Sequence, residues 1–522
     1  MKDMLPRISD YPRAIARITP EAEALVLGDA RIGYRALADR VDALARALLA
    51  AGIRKGDRVA TLQTPHPDFL VAFLATAAIG GIWVGLNPKY RLEELAHVIQ
   101  DSRPSVLIAR ARVPGRDFAP ELTALMALPD GPAHLVTFED DARIGESVPM
   151  RAFVDAGRTV AGAALDAARD GCGGRDACLI VYTSGSTGRP KGALLHHEGI
   201  IAFSLAQNEV WPVHPQRVLN FLPINHVGCL IDITTPVLCG GGTVVFMEHF
   251  DPAEALAMVA RERLTVWGGV PSIFMMQLGL PDFASYDLSS VQMIVWEGAA
   301  LPAEMIARLR QIKPRLATNY GLTETCSAAT ILAPTDDLDR LANSVGDAFP
   351  GVEIRLVDES GAAVADGTPG EVQTRGCYNM LGYWNNPAAS AAAFTPDGFL
   401  RTGDVALRRP DGAYRIVGRI KDMYKSGGYN VYPREVEAAL EAHPSVAAAV
   451  VVSRADPLWQ EVGIAFVVPR AAVDPQVLED WARDKLANYK IPKRIVLTDD
   501  LPLLPIGKVD RRALEARARD MK

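Results

Sequence analysis

An apolar run, Cys178 to Tyr182 ("CLIVY"), passes directly into "TSGSTGRPKG", Thr183 to Gly192. Glycine and serine weaken helix and strand interiors alike, so the chain must leave regular structure here. A buried strand that opens into small, hydroxyl-bearing and cationic residues is suited to an anion. Backbone N–H groups can converge on it, small side chains let it approach, and Lys191 or Arg189 adds charge. The spacing is not that of a Walker A loop, GxxxxGK[ST]. Counting from Gly185 gives "GSTGRPKG", with proline before the lysine and glycine after it. A phosphate loop of another kind is expected.

The flanking chain repeats one pattern. Leu37, Val41, Leu44 and Leu48 recur at helical spacing before Gly52, and "GDRVATLQ" (56–63) and "PSVLIAR" (104–110) read as buried strands. Phe69 to Pro88 runs twenty residues without a charge, long enough to be mistaken for a membrane helix. Gly80-Gly81 interrupts it, so we expect a buried helix ending near Gly80, then a buried strand, and no integral membrane segment. "VLNFLPINH", "GGTVVFME", "LTVWGGVPS" and "VQMIVWEGAALP" read as further strands ending in loops. Residues 157–177, low in bulky apolar side chains, read as a surface loop. Beyond about residue 345 short alternating runs bounded by turns predict an antiparallel β subdomain. The predicted fold is α/β: a large N-terminal domain (1–420) of mixed or parallel sheets flanked by helices plus that β subdomain. A small mobile α+β C-terminal domain (421–522) follows a boundary at Lys421.

Composition narrows the function. With 522 residues, 49% of them hydrophobic, there is material for several cores. A net charge of −7 gives no electrostatic reason for a nucleic-acid partner. The six cysteines form no CxxC pair and no HExxH occurs, which argues for reduced thiols without a metal cage. The N-terminus lacks the continuous apolar core of a signal peptide, and a cytoplasmic protein is expected.

"YTSGSTGRPKG" resembles the phosphate-loop signature of the adenylate-forming superfamily, which includes acyl- and aryl-CoA synthetases, peptide-synthetase adenylation domains and luciferases. The resemblance continues in that family's order through "FLPINHVG" (221–228), "NYGLTET" (319–325), "FLRTGD" (399–404), "GRIKDMYKSGGYNVYPREVE" (418–437) and "PIGKVDRR" (505–512). It therefore covers nearly the whole chain. It implies two half-reactions at one site. A carboxylate attacks the α-phosphate of ATP, giving an acyl-adenylate and pyrophosphate; the thiol of coenzyme A then displaces AMP.

The resemblance also implies roles. Thr183, Ser184, Gly185, Ser186, Thr187, Gly188 and Lys191 would cradle the β- and γ-phosphates. Thr323 would bond the α-phosphate and Glu324 would help hold Mg²⁺, a hard cation that prefers oxygen. Tyr320 would stack on adenine beside Asn319 and Gly321, with Gly298, Ala299 and Ala300 making room. Asp404 would accept from the ribose hydroxyls, and Arg419 would support ribose and phosphate. Lys508 would bridge the acid and ATP for in-line attack. Lys421 falls at the family's hinge, whose rotation would withdraw Lys508 and present Gly427 and Gly428 to the arriving thiol. His226 would gate the acyl and thiol tunnels. Residues 225–232, 267–270, 296–299 and 319–328 would supply the acyl pocket, with Val227, Gly228, Trp267, Trp296, Ser327 and Ala328 as its lining.

Two positions depart from the commonest family text: Glu297 stands where a small residue is usual, and Asn319 where glycine is frequent. Of the nucleotide, the acyl pocket and solvent, Glu297 is expected to face solvent. Leu222 replaces the Asp by which amino-acid-activating members bind an α-amine, which argues against amino acids; no carrier domain is read after Lys522, although one could be supplied in trans. The joint presence of Lys508, Asp404, Glu324 and Arg419 argues against a non-catalytic nucleotide sensor. No Lys or Arg lies in the pocket segments, which argues against a dicarboxylate. The expected function is an AMP-forming acyl-CoA synthetase for a medium- or long-chain fatty acid or an aromatic acid, with fatty acids the first choice and ATP, Mg²⁺ and coenzyme A required. A homodimer is left open.

Overall fold

The charge-free stretch proves to be the centre of the molecule. In a computed structural model that describes residues 4–113, 115–142, 144–183, 189–503 and 509–521, Pro67–Ala78 is a helix buried at every position except Asp68. It starts where the His66 side chain accepts a hydrogen bond from the Asp68 N–H, 3.1 Å away, satisfying one orphan donor of the first turn. A helix apolar all round has no solvent face, and this one lies between two sheets. Phe69 and Phe73 meet Trp83 of one sheet at 6.1 and 5.7 Å, and Phe69 meets Phe246 of the other edge-on at 5.8 Å. Among the described residues no helix is long and apolar enough to cross a membrane.

The first sheet has nine strands; Arg217–Asn220, Thr243–Phe246, Val266–Gly269, Met293–Trp296 and Leu316–Tyr320 run parallel within it. The carboxyl ends of these strands leave the sheet at one edge, where ligands of open α/β sheets bind. The second sheet has eight strands, with Arg58–Leu62, Ile82–Leu86 and Ala177–Thr183 parallel at its centre. Ala177–Thr183 returns antiparallel as Lys191–His196, with Thr183 opposite Lys191. The next described element after Ala177–Thr183 is thus a strand and not the helix that a Walker A loop opens.

A third, four-stranded antiparallel sheet contains Glu353–Val357, Gly370–Arg375, Leu400–Arg408 and Tyr414–Arg419. From Tyr424 onward a five-stranded sheet and three helices close around hydrophobic clusters made only of residues after 423.

One expectation fails. Residues 157–177 are no surface loop: a short turn, Gly157–Thr159, leads into a helix, Gly162–Asp170. Few bulky residues suggested a loop, but alanine has the highest helix propensity of all, and this segment is rich in it. The helix buries Leu165 and Arg169, whose guanidinium pairs with Asp42 of the helix Tyr34–Ala50. Arg169→Ala would strand the Asp42 carboxylate against this packing. We expect a loss of about 2–3 kcal/mol, read as a lower urea midpoint in the first unfolding transition.

Candidate active site

Five loops meet at the carboxyl edge of the nine-stranded sheet, and strand parity decides what each presents. Side chains alternate between faces, so Trp267, Trp296 and Tyr320 point one way while Gly268, Glu297 and Asn319 point the other. The parallel register, Trp267 opposite Ile294 and Trp296 opposite Thr318, keeps the two sets apart.

On the first face Trp267 and Trp296 lie in a closed core, 4% and 2% exposed. Trp267 packs on Phe274 at 5.2 Å and donates from Nε1 to Gln277 Oε1 at 3.0 Å. Both tryptophans therefore belong to packing between sheet and helices, which corrects their reading as acyl-pocket lining. Tyr320 reaches past the sheet and donates its hydroxyl to Asp404 Oδ2 at 2.7 Å. Arg419, directly across the strand pair from Asp404, meets Oδ1 through Nε at 2.7 Å. Asp404 is almost fully buried. Burial pushes its carboxyl above the usual range, while the Arg419 guanidinium and the Tyr320 hydroxyl pull it back. Burial and the adjacent Asp404 hold the Tyr320 phenol well above its ordinary value. The triad leaves a polar, partly neutralised wall that can meet vicinal hydroxyls.

Next to it, "GLTET" folds into a tight turn, Thr323–Thr325. Gly321 is required: a Cβ there would stand 2.2 Å from the Ser327 carbonyl oxygen. The turn holds Glu324 so that Oε1 accepts from the Tyr383 hydroxyl at 2.7 Å. Tyr383 lies on the edge strand paired with the phosphate-loop hairpin, and Lys191 Nζ sits 5.4 Å from its ring centroid. Tyr383 thus links the cation of the phosphate loop to Glu324. It was missed in the sequence, where only the turn-like "LGYWNN" marks it. Gly298, Ala299 and Ala300 stand exposed beyond the strand Met293–Trp296, with Gly298 at φ 82°, where a side chain would be strained.

On the second face Glu297, expected to face solvent, is partly exposed and its carboxyl also lies near Asp232 and Asn319. Asp232 lies in a π-helical segment, Gly228–Thr234, a distortion often found at functional sites. Its Oδ2 accepts from the Ser327 hydroxyl at 3.0 Å. Cys326 and Ser327 hold the left-handed backbone, φ 49° and 63°, which costs free energy in non-glycine residues. Burial raises Glu297 far above the usual carboxylate range and Asp232 acts in the same direction; Asp232 itself is raised, chiefly by burial. Two neighbouring carboxyls disfavour each other's ionisation. Val227 and Ala328 are buried in the adjoining core.

His226 Nδ1 accepts from the Gly228 N–H at 3.0 Å, and Gly228 makes room because a Cβ would approach Nδ1 to 3.0 Å. The neutral ring then carries its proton on Nε2. Lys421 lies exposed in the turn Ile420–Asp422, near enough for its charge to favour ionised Asp404. Gly427 and Gly428, at φ 57° and 85°, form the two-residue turn between Tyr424–Ser426 and Tyr429–Val431, as a twisted hairpin requires. A Cβ on Gly427 would also strike the Trp459 ring at 2.8 Å. Ser184, Gly185, Ser186, Thr187, Gly188 and Lys508 lie outside the described residues.

The AMP-binding enzyme model matches residues 13–384 and the AMP-binding enzyme C-terminal domain matches 435–508. The chain belongs to the AMP-binding enzyme family. It is an acid–thiol ligase that uses ATP to adenylate a carboxylic acid and coenzyme A to take up the acyl group. It is 36% identical over 515 residues to a feruloyl-CoA synthase from Amycolatopsis, covering 96% of this chain and 97% of that one. It is 34% identical to an indoleacetate–CoA ligase from Aromatoleum aromaticum, covering 98% of each. An ATP-bound RpMatB-BxBclM chimera superimposes with a TM-score of 0.86 at 30% identity, covering 99% of this chain and 100% of the other.

Two tests follow from this geometry. Tyr383→Phe removes a hydrogen bond to a carboxylate and should lower kcat/KM for adenylation about tenfold, measured by pyrophosphate exchange, with the melting temperature held. The raised carboxyls of Asp232 and Glu297 stabilise the fold fully below the ordinary carboxyl range and lose that contribution as pH rises through their raised values. Glu297→Gln, neutral throughout, should flatten the decline of melting temperature with rising pH.

Proposed function

We propose that the enzyme activates an aromatic carboxylic acid as its adenylate and transfers the acyl group to coenzyme A. The observation that carries this reading is the meeting, at one strand edge, of a Tyr320–Asp404–Arg419 wall and the Lys191–Tyr383–Glu324 chain. The first suits a nucleoside and the second a triphosphate. Aromatic acids are favoured over fatty acids by two relatives whose names specify feruloyl and indoleacetate substrates. A hydrocarbon tail would also gain nothing from Asp232, Glu297 and Asn319.

In this reading Thr183, Ser184 to Gly188 and Lys191 hold the β- and γ-phosphates, and Thr323 the α-phosphate. Tyr320 covers adenine beside Gly298 to Ala300, while Asp404 and Arg419 take the ribose. Lys508 brings the acid carboxylate and the α-phosphate together, neutralising two anions as charge moves to pyrophosphate. Rotation about Lys421 then replaces Lys508 with Gly427 and Gly428, and His226 admits the thiol. Mg²⁺ fits the donor set. No cluster of His, Cys, Asp or Glu among the described residues forms a metal cage, and an ion that binds through phosphates and waters needs only one carboxylate, which Glu324 offers. When bound, the ion would spread the charge of the phosphates. The site of action we propose is the cytoplasm.

The test is AMP and acyl-CoA formation with ATP, Mg²⁺ and coenzyme A across aromatic and fatty acids, beside pyrophosphate exchange without coenzyme A. Coenzyme A-dependent AMP release with aromatic acids is expected. Exchange without any use of coenzyme A would point instead to carrier loading. Lys508→Ala should slow adenylation by roughly 10²–10³-fold while sparing thioester formation from a supplied acyl-adenylate.

A further inference from the structure

Two of the motif segments end in charged residues that the reaction does not use. "GRIKDMYKSGGYNVYPREVE" closes on Glu437, and "PIGKVDRR" closes on Arg511 and Arg512. The structure brings Glu437 and Arg511 together. Glu437 lies on the helix Pro433–Glu441 and is 2% exposed. Its Oε1 accepts from Arg511 Nη2 at 2.5 Å and from the Val451 N–H at 2.9 Å. Arg511 Nη1 in turn donates to the Val451 carbonyl oxygen at 2.8 Å. One carboxylate, one guanidinium and both main-chain groups of Val451 thus close a ring. It clamps the start of the last helix, Arg511–Asp520, to the strand Val446–Asp456 and to the helix that follows the Gly427-Gly428 turn.

The stability of that last helix does not explain the clamp. A cation in the first turn opposes the helix dipole, and this turn holds no acid to offset it. Glu437 also has a second cation, Arg434 of its own helix, at 3.5 Å, and a buried ion pair is a weak source of stability. What the clamp does fix is the chain just before Arg511. The Asp510 N–H donates to the Pro502 carbonyl oxygen at 2.8 Å, and Leu503 forms an antiparallel bridge with Val509. Asp510 Oδ1 accepts from the Ala513 N–H at 3.2 Å and caps the helix. Leu503 and Val509, which stand on either side of Lys508 in the sequence, are therefore joined, and the ring at Arg511 fixes their junction on the domain.

We infer that Glu437 and Arg511 are a positioning pair for Lys508, setting where its ammonium stands during adenylation. This rests on the role proposed for Lys508 above. Misplacing a group that holds reactants in line by about 1 Å can cost ~10²-fold in rate, and lysine's flexible stem does little to fix its own charge. Only a guanidinium can meet the carboxylate and the carbonyl at once; an ammonium is a point charge. Thioester formation, which in our reading uses the Gly427-Gly428 turn in place of Lys508, does not depend on the pair.

The test reads the ratio of the two half-reactions: pyrophosphate exchange without coenzyme A over thioester formation from a supplied acyl-adenylate. The acid is whichever member of the panel above releases AMP fastest. Both rates come from one preparation, so an inactive fraction cancels. Arg511→Gln and Glu437→Gln should each lower the ratio about tenfold or more, and the double variant should fall no further than the singles. Arg511→Lys, which keeps the charge and loses the fork, should lower it as well. Arg434→Gln breaks an ion pair to the same carboxylate within one helix and should leave the ratio within about twofold. In a Lys508→Ala background Arg511→Gln should cost less than about twofold more. Equal losses in both half-reactions overturn the pair's role, as does an Arg511→Gln loss that persists in full without Lys508. A matching loss in Arg434→Gln overturns it too. A Lys508→Ala enzyme with an unchanged ratio overturns the reading of Lys508 and the pair's role with it, and so does silence with every acid of the panel.

Discussion

Everything at the site depends on two sheets being held face to face across the buried helix Pro67–Ala78. The phosphate-loop hairpin belongs to one sheet and the strand edge with its five loops belongs to the other. In our reading neither half acts alone, because the triphosphate end and the nucleoside end of ATP are met by residues from different sheets. The aromatic contacts of Phe69 with both Trp83 and Phe246 fix that spacing by close packing. Tyr383 extends the same arrangement to the surface: its strand pairs with the hairpin of one sheet, and its hydroxyl reaches Glu324 in a loop of the other.

The electrostatics follow from bringing anions together. A site for ATP and a carboxylate must offer positive charge without becoming a trap that never releases product. The described residues do this with few full charges and several polarised neutral groups. Arg419 is half exposed and already bonded to Asp404, so its field is moderated. The cation of Lys191 lies over an aromatic face and not against a carboxylate. Lys508, on the C-terminal segment, would supply the remaining charge only when that domain closes, which in our reading ties the first half-reaction to one domain orientation.

Much of this was legible in the sequence, and the failures have physical causes. Buried parallel strands announce themselves as short apolar runs ended by glycine or proline, so "VWGG", "MIVW" and "CLIVY" were read as strands with loops behind them. The motif order located Tyr320, Glu324, Asp404 and Arg419, and the structure brings these within two adjoining clusters. What sequence could not supply was partnership across distance. Glu297 was read as facing solvent alone because Asp232, near its carboxyl, lies in another segment. Asp232 itself was visible as the lone charge in "VGCLIDITTP", a signal worth weighing. Trp267 and Trp296 were assigned to the pocket by proximity in sequence, whereas strand parity turns them into the core. Alanine in 162–170 was counted as weakly apolar when its helix propensity was the relevant property.

The same parity explains how one strand can serve two chemistries. Asn319 and Tyr320 are neighbours in the chain, yet their side chains leave opposite faces of the strand Leu316–Tyr320. The Tyr320–Asp404 contact and the Asn319–Asp232 contact are therefore separated by the sheet itself. This matters because a carboxyl pair beside the reacting phosphate would oppose the approach of another carboxylate. Asp232 and Glu297 lie on the far face, where burial raises both carboxyls. In the proposed reading the reacting carboxylate meets a field set by Lys191, Arg419 and Lys508 and not by the pair. In that reading selectivity and catalysis can change independently, because residues on opposite sides of the strand edge serve them.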